Sequence, residues 1–149
     1  MSARYVFAEE WAVAASPEAV REVVTDPAGY PQWWPQVRAV ARLGEDAALV
    51  RCRSSLPYTL DLVLHAVSRE LPVLEVALTG DLEGRVRWVV EPVPGGSRMR
   101  FEQEVVVRGL LVPASYLARP LLAWNHARMM AGCRDGLRRR LATPQATAD

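Results

Sequence analysis

The chain has no lysine and no isoleucine, so all eighteen of its basic residues are arginine. Without lysine there is no Walker-type phosphate loop. Gly80-Asp81-Leu82-Glu83-Gly84 reads instead as a turn, because Asp81 and Glu83 would repel an anion. Cysteine and histidine are scarce: Cys52, Cys133, His65 and His126 are the whole supply. They form no CxxC pair and no metal-ligand spacing, so the cysteines are expected as reduced, buried thiols and no metal or cofactor is implied. A GxSxG elbow is missing, which argues against a hydrolase of that kind. No apolar run approaches the ~20 residues needed to cross a bilayer. The first ten residues reach Glu9 and Glu10 where a signal peptide would need an apolar stretch, so the expected compartment is the cytoplasm. The net charge is +1, and the basic residues gather near one helix end, so no nucleic-acid partner is expected.

The composition is otherwise half hydrophobic over 149 residues, which predicts one domain over 1–149 with a frayed tail over 143–149. Arg4 to Val13 alternates as a strand, with Tyr5, Phe7, Glu9, Trp11 and Val13 on one face. Ser16 is placed to cap a short helix that Pro17 opens, with Glu18 in its first turn. Pro27, Pro31 and Pro35 cut the next stretch into a second short helical element. Strands are predicted over Val37–Arg42, Ala47–Ser54, Tyr58–Ser68 and Leu71–Thr79.

A hairpin of Leu82–Glu91 with Ser97–Val107 crosses Pro92-Val93-Pro94-Gly95-Gly96. Pairing Glu91 with Arg98 sets Arg87 opposite Glu102 and Arg85 opposite Glu104 on one face. The same register sets Trp88 against Phe101 and Val86 against Gln103 on the other. From Val112 to Leu141 the period turns helical, with Pro120 kinking the helix or beginning its main segment. Leu122, His126, Met129, Met130, Cys133, Leu137 and Leu141 then share one arc, and Trp124 projects away from it.

Several stretches carry a family likeness. Ala15-Ser16-Pro17-Glu18-Ala19-Val20 and Asp26-Pro27-Ala28-Gly29-Tyr30-Pro31-Gln32-Trp33-Trp34-Pro35 stand near the N-terminus. Leu56-Pro57-Tyr58, Gly80 to Gly84, Arg119-Pro120, Trp124-Asn125-His126 and Met130 come later in the chain. Together they resemble the START-like (Bet v 1-like) superfamily, and within it the bacterial polyketide cyclase/dehydrase and lipid transport branch. The resemblance implies an α+β helix-grip fold, a curved antiparallel sheet of about seven strands wrapped around a long C-terminal helix, with two short helices after the first strand. It also implies a cavity for an apolar or amphipathic small molecule.

Geometry leads to the same cavity. Seven strands at ~4.8 Å spacing span about 30 Å, whereas a helix is only about 10 to 12 Å across. A sheet curled around one helix leaves space that side chains fill only in part. The predicted lining is Phe7, Trp11, Val86, Trp88, Phe101 and Val105 from strands, with Leu122, Met129 and Met130 from the helix. Glu9, Gln103, Arg119 and His126 supply the polar groups.

His126 suits either a ligand contact or general acid/base work, although a lone histidine on an apolar arc is more often structural. Glu9 is its candidate partner. Arg51, Arg53 and His65 are expected on solvated faces, and Trp33 and Trp34 either guard the cavity mouth or pin the short helices. Two main functions are implied: a binder of a small hydrophobic or aromatic, lipid- or polyketide-like ligand, or a polyketide cyclase, aromatase or dehydratase using His126. A third is a module acting through a protein or RNA partner. The expected state is a monomer or homodimer with no integral membrane association.

Overall fold

The computed structural model describes residues 2–55, 59–108 and 119–142. Strand β1 (Ser2–Val13) leads to helix α1 (Pro17–Val24), a short 3-10 turn (Pro27–Gly29) and helix α2 (Tyr30–Trp33). Strands β2 (Val37–Arg42), β3 (Ala47–Cys52), β4 (Leu60–Ser68), β5 (Val73–Gly80), β6 (Glu83–Val93) and β7 (Gly96–Arg108) come next, and helix α3 (Arg119–Ala142) is last. The strands make one antiparallel sheet in the order β1-β7-β6-β5-β4-β3-β2. This is the helix-grip arrangement expected from the sequence. The predicted helical stretch before Arg119, the Leu56-Pro57-Tyr58 motif and the tail over 143–149 lie outside the described residues.

Local chemistry explains the punctuation. Ala19 N–H donates to Ser16 Oγ at 3.2 Å, and Pro17 opens α1, so one orphan donor of the first turn is satisfied. The hairpin has the predicted register, with Glu91 opposite Arg98, Arg87 opposite Glu102, Trp88 opposite Phe101 and Val86 opposite Gln103. Its turn is tighter than predicted. Pro92 and Val93 still pair, with Ser97 and Gly96, which leaves Pro94-Gly95 at the tip. Gly95 has φ +83°, a conformation glycine adopts without a Cβ penalty.

The register of the β6–β7 hairpin does not by itself decide the ion pairing of Arg87 and Glu104. Arg87 Nε donates to Glu75 Oε1 of β5 at 2.8 Å, and Arg4 of β1 donates to Glu104 at 2.7 Å. Each outer residue of β6 or β7 has strands on both sides. The long arginine therefore chooses between two carboxylates, and for Arg87 the neighbour on β5 wins over Glu102.

The core is solid at one end of the grip and hollow at the other. Val20, Val90, Met99 and Leu137 are fully buried where α1, β6, β7 and the C-terminal half of α3 meet. Ser97 belongs to the same packed end, its hydroxyl donating to Ala15 O at 2.6 Å. On α3 the predicted arc faces inward, with Met130, Cys133 and Leu137 buried, while Trp124 is exposed. A Cβ built on Gly136 would collide with the Trp33 carbonyl oxygen, so only glycine admits the α2 backbone there. Trp34 completes the junction by donating from Nε1 to Met129 O at 3.1 Å. The tryptophan pair pins α2 to α3.

Candidate functional site

Beneath the N-terminal half of α3 the sheet encloses a cavity of about 1030 Å³. Alternation along each strand sends every second side chain inward, so Val50, Leu62, Leu74 and Leu78 from β3, β4 and β5 form one apolar wall. Tyr30, Trp33 and Trp34 of the α2 region close a side. Cys52 and Cys133 also face the cavity. Burial pushes the Cys52 thiol up to about 12 and raises Cys133 well above the ordinary thiol value, so both line the wall as neutral groups.

Of the residues proposed from sequence, Phe7, Val86, Trp88, Phe101, Gln103 and Val105 reach this cavity from strands, and Leu122, His126, Met129 and Met130 reach it from α3. Glu9, Trp11 and Arg119 lie off the wall. Trp11 belongs to the packed core, its ring 5.1 Å from that of Trp88. Glu9 is on the inner face of a β1 whose pairing with β7 runs unbroken, and it accepts a hydrogen bond from Trp11 Nε1 at 3.1 Å. Arg119, at the start of α3, holds its guanidinium 4.3 Å above the Tyr5 ring.

His126 and Gln103 form the polar centre. The imidazole stacks on Phe7 with ring centroids 3.7 Å apart and planes at 11°, and Phe101 lies 6.1 Å away. Its Nε2 is 2.8 Å from Gln103 Oε1. Burial among these rings lowers the imidazole pKa to about 4, so the group is neutral at physiological pH. A neutral imidazole at this site binds or orients a polar atom readily. As a general base it is weaker than a histidine titrating near 7.

Arg51, Arg53 and His65 point away. Arg51 and Asp61 pair at 2.8 Å on the outer face, where the guanidinium holds the carboxyl below its usual range. Arg53 is exposed, and His65 meets Thr79 Oγ1 at 2.9 Å on the same outer side. Sequence reasoning passed over Tyr5, which reaches the cavity and whose buried hydroxyl lacks a hydrogen-bond partner among the described residues. Its place on the same strand face as Phe7 was the available signal. Among the described residues there is no cluster of three His, Cys, Asp or Glu able to hold a metal ion, and no helix is long and apolar enough to cross a membrane.

The profile of the family described as "Polyketide cyclase / dehydrase and lipid transport" matches residues 5–142. No curated protein matches the chain. Among solved structures, a START superfamily protein from Mycobacterium smegmatis superposes with a TM-score of 0.73 at 17% identity, covering 91% of this chain and 96% of that one. The Zhui aromatase/cyclase from Streptomyces sp. R1128 gives 0.73 at 13% identity, covering 93% and 94%. The di-domain ARO/CYC BexL of the BE-7585A biosynthetic pathway gives 0.68 at 15% identity, covering 95% of this chain and 51% of that one. At these identities the likeness is one of fold.

Proposed function

The chain belongs to the polyketide cyclase/dehydrase and lipid transport family, and from that premise we propose that it binds a small hydrophobic or aromatic molecule in the cavity beneath α3. The observation that carries this reading is the cavity itself. About 1030 Å³ is lined largely by apolar and aromatic side chains, with the hydrogen-bonded His126–Gln103 pair among its polar groups. That is the composition of a small-molecule site, in which apolar area supplies affinity and a few polar groups fix orientation. Water in such a space gains little from Leu62, Leu74 or Leu78, and an aromatic ligand displaces it favourably. Native mass spectrometry before and after organic extraction tests the reading, together with calorimetric titration of a two-ring aromatic alcohol into the extracted protein. We expect a copurified apolar molecule or one-to-one binding of the added alcohol. Absence of both would dismiss the cavity as a ligand site.

A second reading is favoured by the likeness to the Zhui aromatase/cyclase. In it, the cavity holds a poly-β-ketone chain in one folded shape, and His126 moves a proton as the chain cyclises or loses water. Glu9 is then at most a more distant carboxylate, because its oxygen is engaged by Trp11. His126→Ala separates the two readings. Lost turnover with retained affinity makes the imidazole an acid/base group, and lost affinity alone makes it a ligand anchor.

A further inference from the structure

The polar pair inside the cavity also dictates which polar partner it accepts. Gln103 Oε1 can only accept a hydrogen bond, so at 2.8 Å the proton between the two residues sits on His126 Nε2. A neutral imidazole carries one such proton, which leaves Nδ1 as a bare acceptor. No group among the described residues bonds that nitrogen, and it is not among the buried atoms sealed away without a partner. His126 itself lines the cavity. Phe7 covers a face of the ring at 3.7 Å, which leaves the ring edge rather than that face to a ligand. Turning the ring over would put Cε1 where Nε2 stands and break the bond to Gln103.

We propose that Gln103 is a positioning residue that fixes His126 in the Nε2-protonated form, so that the cavity selects ligands presenting a hydroxyl donor, an aromatic alcohol or phenol. The same skeleton capped as an ether is disfavoured. The inference rests on the reading that the cavity is a ligand site. An ether leaves Nδ1 without a partner in a space the ligand has emptied of water, and an unmet buried acceptor is costly. A hydroxyl meets it directly. The second oxygen of a hydroxylated polyketide-like ring is free to accept from the Gln103 amide, whose nitrogen has no other partner among the described residues.

The experiment uses the full chain, 2-naphthol and 2-methoxynaphthalene by isothermal titration calorimetry, and nitrogen-15 NMR of the histidine side chains. We expect 2-naphthol to bind about tenfold or more tightly than 2-methoxynaphthalene, and His126 to show the Nε2-protonated form at neutral pH. Gln103→Met should give a mixture of tautomers and a reduced hydroxyl preference. His126→Phe, which keeps the stack on Phe7, should bind both probes with the preference gone. Equal affinities for the two probes in the native protein would overturn the inference while leaving the ligand site standing, as would an Nδ1-protonated imidazole. Failure of both probes to bind the extracted protein would overturn the inference, and if no molecule copurifies either, the site falls with it.

Discussion

Burial of His126 has a measurable consequence for stability. In the unfolded chain the imidazole takes up a proton near 6.5, and in the folded protein burial holds it off until about 4. Between those values the unfolded state binds a proton that the folded state refuses, so stability falls as pH drops from about 6.5 toward 4 and is flat above that window. The full difference of about 2.5 pH units corresponds to roughly 3 kcal/mol, of which about 2 kcal/mol is reached by pH 5. Asp61 and Glu91, whose pKa values are lowered by Arg51 and by Arg98 with Arg100, lose their contributions as pH falls through the carboxylate range. The interval from pH 7 to 5 therefore isolates the histidine. Urea unfolding followed by tryptophan fluorescence, at pH 7 and pH 5, should show the native protein losing about 2 kcal/mol more than His126→Phe. The variant starts lower at pH 7 because it lacks the bond to Gln103, but the comparison concerns the change with pH. Parallel losses in the two proteins would refute the claim that His126 is held neutral by burial.

Leu137→Ala empties a position with no exposure in the packed half of the core, so a loss of about 2 to 5 kcal/mol is expected in urea titrations. Trp124→Ala, on the outward side of α3, should stay within about 0.5 kcal/mol; comparable losses would mean that the buried face of α3 is misassigned. Gly136→Ala drives a methyl into the Trp33 carbonyl and must separate α2 from α3. We expect a destabilisation at or beyond the upper end of the ~1 to 3 kcal/mol usual for overpacking, and native-like thermal stability would contradict the close approach. A double-mutant cycle on Arg87 and Glu75 should return a small coupling that salt removes, while a cycle on Arg87 and Glu102 should return still less. The reverse order would place the guanidinium on the β7 side.

Much of the grip was legible in the sequence because its signals are local. Alternation in Tyr5, Phe7, Trp11 and Val13 is a property of a few consecutive residues, as is the Ser16-Pro17 start of α1. The hairpin register came from one pairing that had to suit charged residues on one face and Trp88 with Phe101 on the other. The inward arc of α3 came from helical period alone, including the outward turn of Trp124. Ten of the proposed site residues reach the cavity because periodicity gave their inward faces correctly.

Beyond the reach of the sequence is everything set by distance between elements. Glu9 and Trp11 share the inner face of β1 with Phe7, yet of these three only Phe7 lines the cavity. That division depends on where the curl leaves space, which no single strand encodes. The choice of Glu75 over Glu102 by Arg87 depends on which neighbouring strand brings its carboxylate nearer the guanidinium. Trp34 and Gly136 join α2 to α3 across about a hundred residues of chain, a contact without any local signature. The low proton affinity of His126 is likewise tertiary: Phe7, Phe101 and Gln103 come from both strands of the β1–β7 pair and enclose the imidazole only once the sheet has folded around the helix. Periodicity determined which way each side chain faces, and the curvature of the closed sheet decided which of them meet in an open cavity and which in packed core.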